Sequence, residues 1–314
     1  MDISKLSKLL PIIGIAILVY IIVDIGAEKI VNAFISIPPL YYIAASLLLI
    51  PRSILYVYKW KFLCKQQKMD FSFWYLLKIY MISTFYGTIT PSGIGYNIRI
   101  YYLKEKIKTT WEKCIANSLV DATTGFISAL FLALVGTIVL LEYLPGFFTI
   151  MLPAFIFYLI IFIVLMKKER GSKIFDRLIK PLIPARFKEK LGKSIDFLYE
   201  DLPPLKYAIL LIFLEGIINI IAATQGYIIA LAFSINVPYA QFILISIISS
   251  IAAALPITVG GLGIREGAAM VMFSIYGMQP EVAFTISLSG YFVKQIVPSV
   301  VGWVISIKEP IKYD

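Results

Sequence analysis

The sequence contains no histidine and only two cysteines, Cys64 and Cys114. Zinc, haem and iron–sulfur centres need clusters of those side chains, so none is expected and no cofactor is assigned. Without histidine, a Ser-His-Asp or Cys-His catalytic system is impossible. Each cysteine has a lysine beside it, Lys65 and Lys113, at what reads as a cytoplasmic edge, where a structural disulfide is not expected. Charge is scarce as well: 15% of the 314 residues are Asp, Glu, Lys or Arg, whereas 60% are hydrophobic. Soluble domains are about half apolar and about a quarter charged. The composition therefore excludes a soluble enzyme or a disordered tail and describes an all-α polytopic membrane protein, one transmembrane domain over residues 1–314. A spanning helix takes about 20 residues at about 1.5 Å each, so the length holds roughly eight hydrophobic elements with short loops.

What is present is hydrophobic runs and basic edges. Residues 9–23 (LLPIIGIAILVYIIV) follow Lys5 and Lys8 and look like a signal-peptide core. No small-residue cleavage site follows, so they read as a retained first helix. Further spans are expected at 40–63, 113–141, 147–166, 206–233 and 281–307. Residues 72–103 and 239–277 are apolar stretches interrupted by GTITPSGIG (87–95) and LPITVGGLG (255–263). Residues 167–205 are polar and basic. After Pro184 they place Phe187, Leu191, Ile195, Leu198 and Leu202 at helical spacing among lysines, the pattern of an amphipathic helix on an anionic membrane surface.

The net charge of +10 would suggest nucleic acid on a soluble protein. Here it reads as cytoplasmic loops facing anionic lipid, with membrane lipids as partners and no nucleic acid. Lys5, Lys8, Lys59, Lys61, Lys65, Lys68, Lys104, Lys106, Lys108, Lys113, the 167–206 linker, Lys308 and Lys312 mark one side. Lys29 alone, with Asp24, Glu28, Glu142 and Glu281, marks the other. The positive-inside rule then places both termini in the cytoplasm of a multi-pass cell-membrane protein. The flanks of 72–103 are both internal and those of 239–277 both external. Two re-entrant helical hairpins from opposite faces, with about six full spans, are the expected architecture. Each break carries a proline, a threonine, a Gly-x-Gly and a following arginine, Arg99 or Arg265, which suggests an inverted-topology repeat.

Irregular backbone at membrane depth must be buried in protein or line a wet cavity. Gly93, Gly95, Gly261 and Gly263 permit it. A helix restarting after a break offers free N–H groups and a positive dipole end, and Arg265 adds a full charge, so an anion such as a lipid phosphate suits the place. The alternative is two kinks packed on small residues. Gly261-x-Gly263 lacks the strand and third glycine of a dinucleotide fingerprint. Arg52, Asp121, Glu215 and Lys294 lie inside apolar runs, where an ionised side chain is costly unless paired or hydrated. Counted from Lys59, Lys113 and Lys206, the first three lie on the order of 10–14 Å below the inner surface, close enough to form one cluster. Lys294 counts to near the midplane, beside Arg265 and Glu266. They read either as substrate contacts or a proton-coupling carboxylate, or as helix-tying pairs such as Arg52–Glu215 and Glu266–Lys294. Asn117, Asn219, Gln225 and Gln295 read as interhelical hydrogen-bonding groups.

The runs Thr90-Pro91-Ser92-Gly93-Ile94-Gly95 with Arg99, and Gly260-Gly261-Leu262-Gly263-Ile264-Arg265-Glu266-Gly267, resemble two motifs of the flippase-like transmembrane domain of lysyl-phosphatidylglycerol synthase. That domain also occurs as stand-alone membrane proteins in bacteria and archaea. The resemblance covers essentially the whole chain. The family often has an acidic residue after the first glycines, where Tyr96 and Asn97 stand here, and an acid–arginine pair in the next span, where Asp121 is followed by Ala122. The resemblance implies lipid translocation, without lysyl-lipid synthesis in a chain that ends at Asp314. The expected function is a flippase or carrier for a phosphate-bearing lipid, of modified-phospholipid or polyprenyl-phosphate type, with no ATP-binding motif to drive it. Substrate contacts are assigned to Arg265, Glu266, Arg99, Gly93, Gly95, Gly261, Gly263, Arg52, Asp121, Glu215 and Lys294. The alternatives are a membrane-embedded transferase with Asp121, Glu215 or Glu266 as base, and a non-catalytic subunit acting on lipid-linked substrates. Self-association is left open.

Overall fold

The computed structural model describes residues 19–143, 145–165, 202–253 and 261–308. Every regular element among them is helical. Residues 19–25 are helical and lead into α1 (Ala27–Ser36), α2 (Pro39–Leu47) and α3 (Leu49–Gln66). Then come α4 (Phe73–Ile89), a 3-10 segment (Pro91–Asn97), α5 (Ile98–Ile107), α6 (Trp111–Val139) and α7 (Pro145–Leu165). The second half holds α8 (Leu205–Ala230), α9 (Tyr239–Ala252), α10 (Ile264–Phe273), α11 (Pro280–Tyr291), a π-helical segment (Phe292–Ile296) and α12 (Val297–Lys308). Local chemistry sets the starts. The Ser72 hydroxyl accepts from Tyr75 N–H and the Thr110 hydroxyl from Lys113 N–H, while Pro39 and Pro280 open helices at a position that needs no N–H.

Five stretches are long and apolar enough to cross a membrane: Pro39–Gln66, Trp111–Val139, Pro145–Ile163, Leu205–Phe233 and Pro280–Lys308. They coincide with five of the spans expected from the sequence. The expected first helix, 9–23, lies mostly outside the described residues, as does the amphipathic helix of the 167–205 linker. α4 packs on α5 across the first interruption, and α9 on α10; most of the second expected break, 255–263, lies outside the described residues.

The element order repeats. Pro39 and Leu205, Phe73 and Tyr239, and Ile98 and Ile264 each open corresponding helices 166 residues apart. Arg99 and Arg265 are the second residues of α5 and α10, two ten-residue helices. α6 and α8 cross closely where both are small: Gly125 faces Glu215 and Gly216 faces Ser128. Their contacts run in register, so the two helices are parallel. One apolar core gathers Cys114 and Val120 from the start of α6 and Leu211 from the start of α8 around α3, α4 and α5. The other gathers Ala133 from the later half of α6, Leu140 just beyond its end, and Ala223 and Ala230 from α8, around α9, α10 and α11. The two broken stretches therefore pack at opposite ends of a central parallel pair.

Candidate functional site

The first polar centre lies in the first core. The side chains of Lys59, Arg99, Asp121 and Glu215 meet there, one each from α3, α5, α6 and α8. Lys59 Nζ is 2.7 Å from Asp121 Oδ1 and also bonds Glu215. Arg99 Nη1 is 2.6 Å from Asp121 Oδ2. Tyr56 Oη donates to the same oxygen at 2.7 Å and accepts from Arg99 Nη1 at 2.9 Å. Arg99 Nε donates to Ser118 Oγ and Nη2 to the Ser118 carbonyl, and Ser118 Oγ donates to Asn97 Oδ1. Below this layer, Trp60 Nε1 donates to Asn117 Oδ1, and Asn117 Nδ2 donates to Gln67 Oε1. Four ionised groups with two charges of each sign form a neutral, hydrogen-bonded cluster, the arrangement that makes buried charge tolerable.

Three expectations change here. Lys59 is 1% exposed and belongs to the cluster, not to the cytoplasmic edge. The sequence does carry a signal for this: Arg52, Tyr56 and Lys59 fall at i, i+4 and i+7, one face of a helix. The Arg52–Glu215 pair does not form, because Lys59 takes Glu215. Arg99 supplies the guanidinium for Asp121 from the preceding helix, where the residue after Asp121 is alanine. Arg99 thus clamps α5 to α3 and α6, and most of its donors are spent inside the protein.

The second centre is the restart at α10. Glu266 is fully buried and Arg265 nearly so. Arg265 Nη2 and Nε donate to Glu266 Oε1 at 2.7 and 3.0 Å, and the guanidinium lies 4.0 Å from the Tyr291 ring centroid. Glu266 Oε2 accepts from Gly263 N–H at 2.7 Å. Thr90 Oγ1 does the same for Gly95 N–H at 2.8 Å. The amides of Gly95 and Gly263 are therefore satisfied from within, not open to an anion as the sequence suggests. The glycines serve geometry. Gly263 has φ +84°, Gly93 φ +66° and Gly261 φ +73°, and a Cβ on Gly95 would stand 2.1 Å from the Tyr86 carbonyl oxygen. The Glu266–Lys294 pair does not form either, since Arg265 takes Glu266.

Between the centres lies the π segment. Pro298 has no N–H to give the carbonyl of Lys294, four residues earlier, and its ring crowds that position. The helix widens into a π turn over Phe292–Ile296. Arg52 Nη1 donates to the Lys294 carbonyl at 2.9 Å. Two cavities flank the segment. One, of about 150 Å³, is lined by Arg52, Tyr56, Tyr80, Tyr96, Arg99, Glu215, Asn219 and Gln295, among others. A smaller one, of about 40 Å³, is lined by Arg265, Lys294, Ser246, Ser249, Ser250 and Ser287 with apolar neighbours. Arg52 and Lys294 enter no ion pair among the described residues. Arg52 Nε, Ser83 Oγ and Asn219 Nδ2 in the first cavity, and Ser249 Oγ in the second, are buried polar atoms without a partner. All four can donate. Gln295 Nε2 donates to Thr88 Oγ1 and to Tyr96 Oη, tying the segment to α4. Gln225 Nε2 donates to the Ala45 carbonyl.

Residues 10–302 match the family described as the lysylphosphatidylglycerol synthase TM region. The chain belongs to that family. Similar members include a UPF0104 membrane protein of Methanocaldococcus jannaschii, 26% identical over 314 residues, covering 95% of this chain and 93% of that protein. A UPF0104 membrane protein of Methanothermobacter thermautotrophicus is 22% identical over 299 residues, covering 88% of each chain. The chain is thus a membrane protein of this family, and the two broken stretches with Arg99 and Arg265 lie inside the matched range. Among the described residues no cluster of His, Cys, Asp or Glu could hold a metal ion, and Cys64 and Cys114 are buried.

Proposed function

We propose that the protein carries a phosphate-bearing lipid between the leaflets of the cell membrane. The observation that supports this best is the pair of cavities on either side of the π segment, with Arg52 in one and Lys294 in the other, and buried donors in both that lack acceptors. Unmatched donors and cations at depth suit an anionic headgroup. An apolar groove of about 610 Å³ runs over Leu49, Ile50, Ile54, Trp74, Leu77 and Val301. It shares α3 with the larger cavity, so a headgroup could sit on one face of that helix while hydrocarbon follows the other.

In this reading α4–α5 and α9–α10 are re-entrant hairpins from opposite faces, the halves are an inverted repeat, and both termini are cytoplasmic. The larger cavity then opens toward the cytoplasm and the smaller toward the outside. Arg52 and Lys294 meet the headgroup. Arg99, Asp121, Glu215, Arg265, Glu266 and the glycines hold the walls. The transferase reading is weaker, because Lys59, Arg99 and Arg265 engage the three carboxylates that would serve as base. Leaflet exchange of labelled lipids in liposomes tests the proposal. Exchange by the wild-type protein that drops on Arg52→Gln supports it, and absence of exchange for every phosphate-bearing lipid sinks it.

A further inference from the structure

The charges around the cavities do not cancel. Lys59, Arg99 and Arg265 are matched by Asp121, Glu215 and Glu266 through the contacts described above. Arg52 and Lys294 remain, two basic side chains that enter no ion pair among the described residues. They are neighbours: Arg52 bonds the Lys294 carbonyl, and Lys294 lies within electrostatic reach of Arg52, of Arg265 and of Glu266, the carboxylate that Arg265 engages. A single cation at depth is already costly, and two close together add mutual repulsion. The ion pairs among the described residues offset three of these five basic groups.

We infer that the headgroup is a phosphomonoester, whose charge of about −1.5 to −2 near neutral pH balances Arg52 and Lys294 together. A phosphodiester carries one negative charge and would leave one cation unmatched. A zwitterionic headgroup has no net charge and would leave both. The unpartnered donors agree in kind: Arg52 Nε and Asn219 Nδ2 are N–H groups, and Ser83 and Ser249 are hydroxyls, suited to the three terminal oxygens of a monoester. The π segment stands between the two cavities, with Arg52 lining one and Lys294 the other. The widened turn leaves the carbonyl of Lys294 to Arg52, so the two cations are held at one wall shared by both cavities. The inference rests on the translocation reading and narrows its substrate. The shared chemistry is a monoester phosphate, from a lipid or from free phosphate in water.

The test uses the full chain in liposomes of neutral lipid. The probes are a polyprenyl monophosphate and phosphatidic acid as monoesters, phosphatidylglycerol as diester, phosphatidylethanolamine as zwitterion, and inorganic phosphate as the soluble anion. Monoester lipids should exchange at least about tenfold faster than phosphatidylglycerol, the size of one charge-assisted hydrogen bond. Lys294→Gln should bring that ratio close to one, and Lys294→Arg should keep it, which guards against a folding effect. Phosphatidylglycerol moving as fast as the monoesters overturns the inference and leaves the proposed function standing. Inorganic phosphate moving while no lipid does overturns the lipid source. No movement of any probe overturns both readings.

Discussion

Arg52 donates a hydrogen bond to the main-chain carbonyl of Lys294 at 2.9 Å, joining residues 242 positions apart in the sequence. The α-helical donor to this carbonyl would come from residue 298, and Pro298 has no N–H to supply. It fixes the first half of the repeat to the second at the wall between the two cavities.

Pro298→Ala should therefore act on transport more than on stability. The new N–H would compete with Arg52 for the Lys294 carbonyl and favour a regular α-helix over the π turn. The thermal midpoint in detergent should hold or rise, since an interior proline costs helices about 3 kcal/mol, while the exchange rate falls. A variant that melts early with unchanged exchange per folded molecule would contradict this role.

The Lys59–Glu215 contact should behave as a coupled pair. Lys59→Met strands Glu215, and Glu215→Gln leaves Lys59 with Asp121 alone. Breaking a buried pair from one side costs about 3–5 kcal/mol. The double variant keeps Arg99 with Asp121 and should be less destabilised than the sum of the singles, by about 1–3 kcal/mol in a double-mutant cycle. Additive effects would mean that the contact carries little energy.

Gly302 and Gly146 should respond in opposite ways to alanine. A Cβ on Gly302 would stand 1.9 Å from the Met81 carbonyl oxygen, at the crossing of α12 and α4, whereas nothing lies within 4 Å of one on Gly146. Gly302→Ala should lower stability by about 1–3 kcal/mol despite its better helix propensity. Gly146→Ala should be neutral or mildly stabilising. Thermal unfolding of both in one detergent decides the matter.

Cys64 and Cys114 should resist a water-soluble maleimide in the folded protein and react only after denaturation. Both are fully buried, and thiol modification needs an accessible thiolate. Rapid labelling under native conditions would show that the first core opens.

Much of this arrangement is legible in the amino-acid sequence. Apolar runs between basic edges locate the five spans, because a lipid core imposes helix length and composition. The two glycine breaks and their arginines locate the repeat. Asp121, Glu215 and Lys294 stand out as charges inside apolar runs. Lys59 does not, because a lysine close to Lys61 and Lys65 counts as an anchor in any tally of flanking charge. Only the packing of α3 against α6 and α8 reveals that it points inward. The ion pairs expected from spacing, Arg52–Glu215 and Glu266–Lys294, are also not the ones that form. Arg52, Lys59 and Arg99 are all candidates for the same carboxylates, and which cation reaches which is a matter of helix rotation that spacing does not encode. The role of Glu266 is legible in part: an acid three residues after Gly263 is the pattern that caps a helix start. Its carboxylate takes the Gly263 N–H at the restart.

The most direct measurement is the leaflet-exchange rate of a polyprenyl monophosphate in liposomes. It compares the wild-type protein, Arg52→Gln, Lys294→Gln and the exposed control Lys308→Gln. The account predicts rapid exchange by the wild type and the control, with each interior variant slower by about tenfold or more. Equal rates for all four would contradict it, because Arg52 and Lys294 would then have no part in moving the lipid.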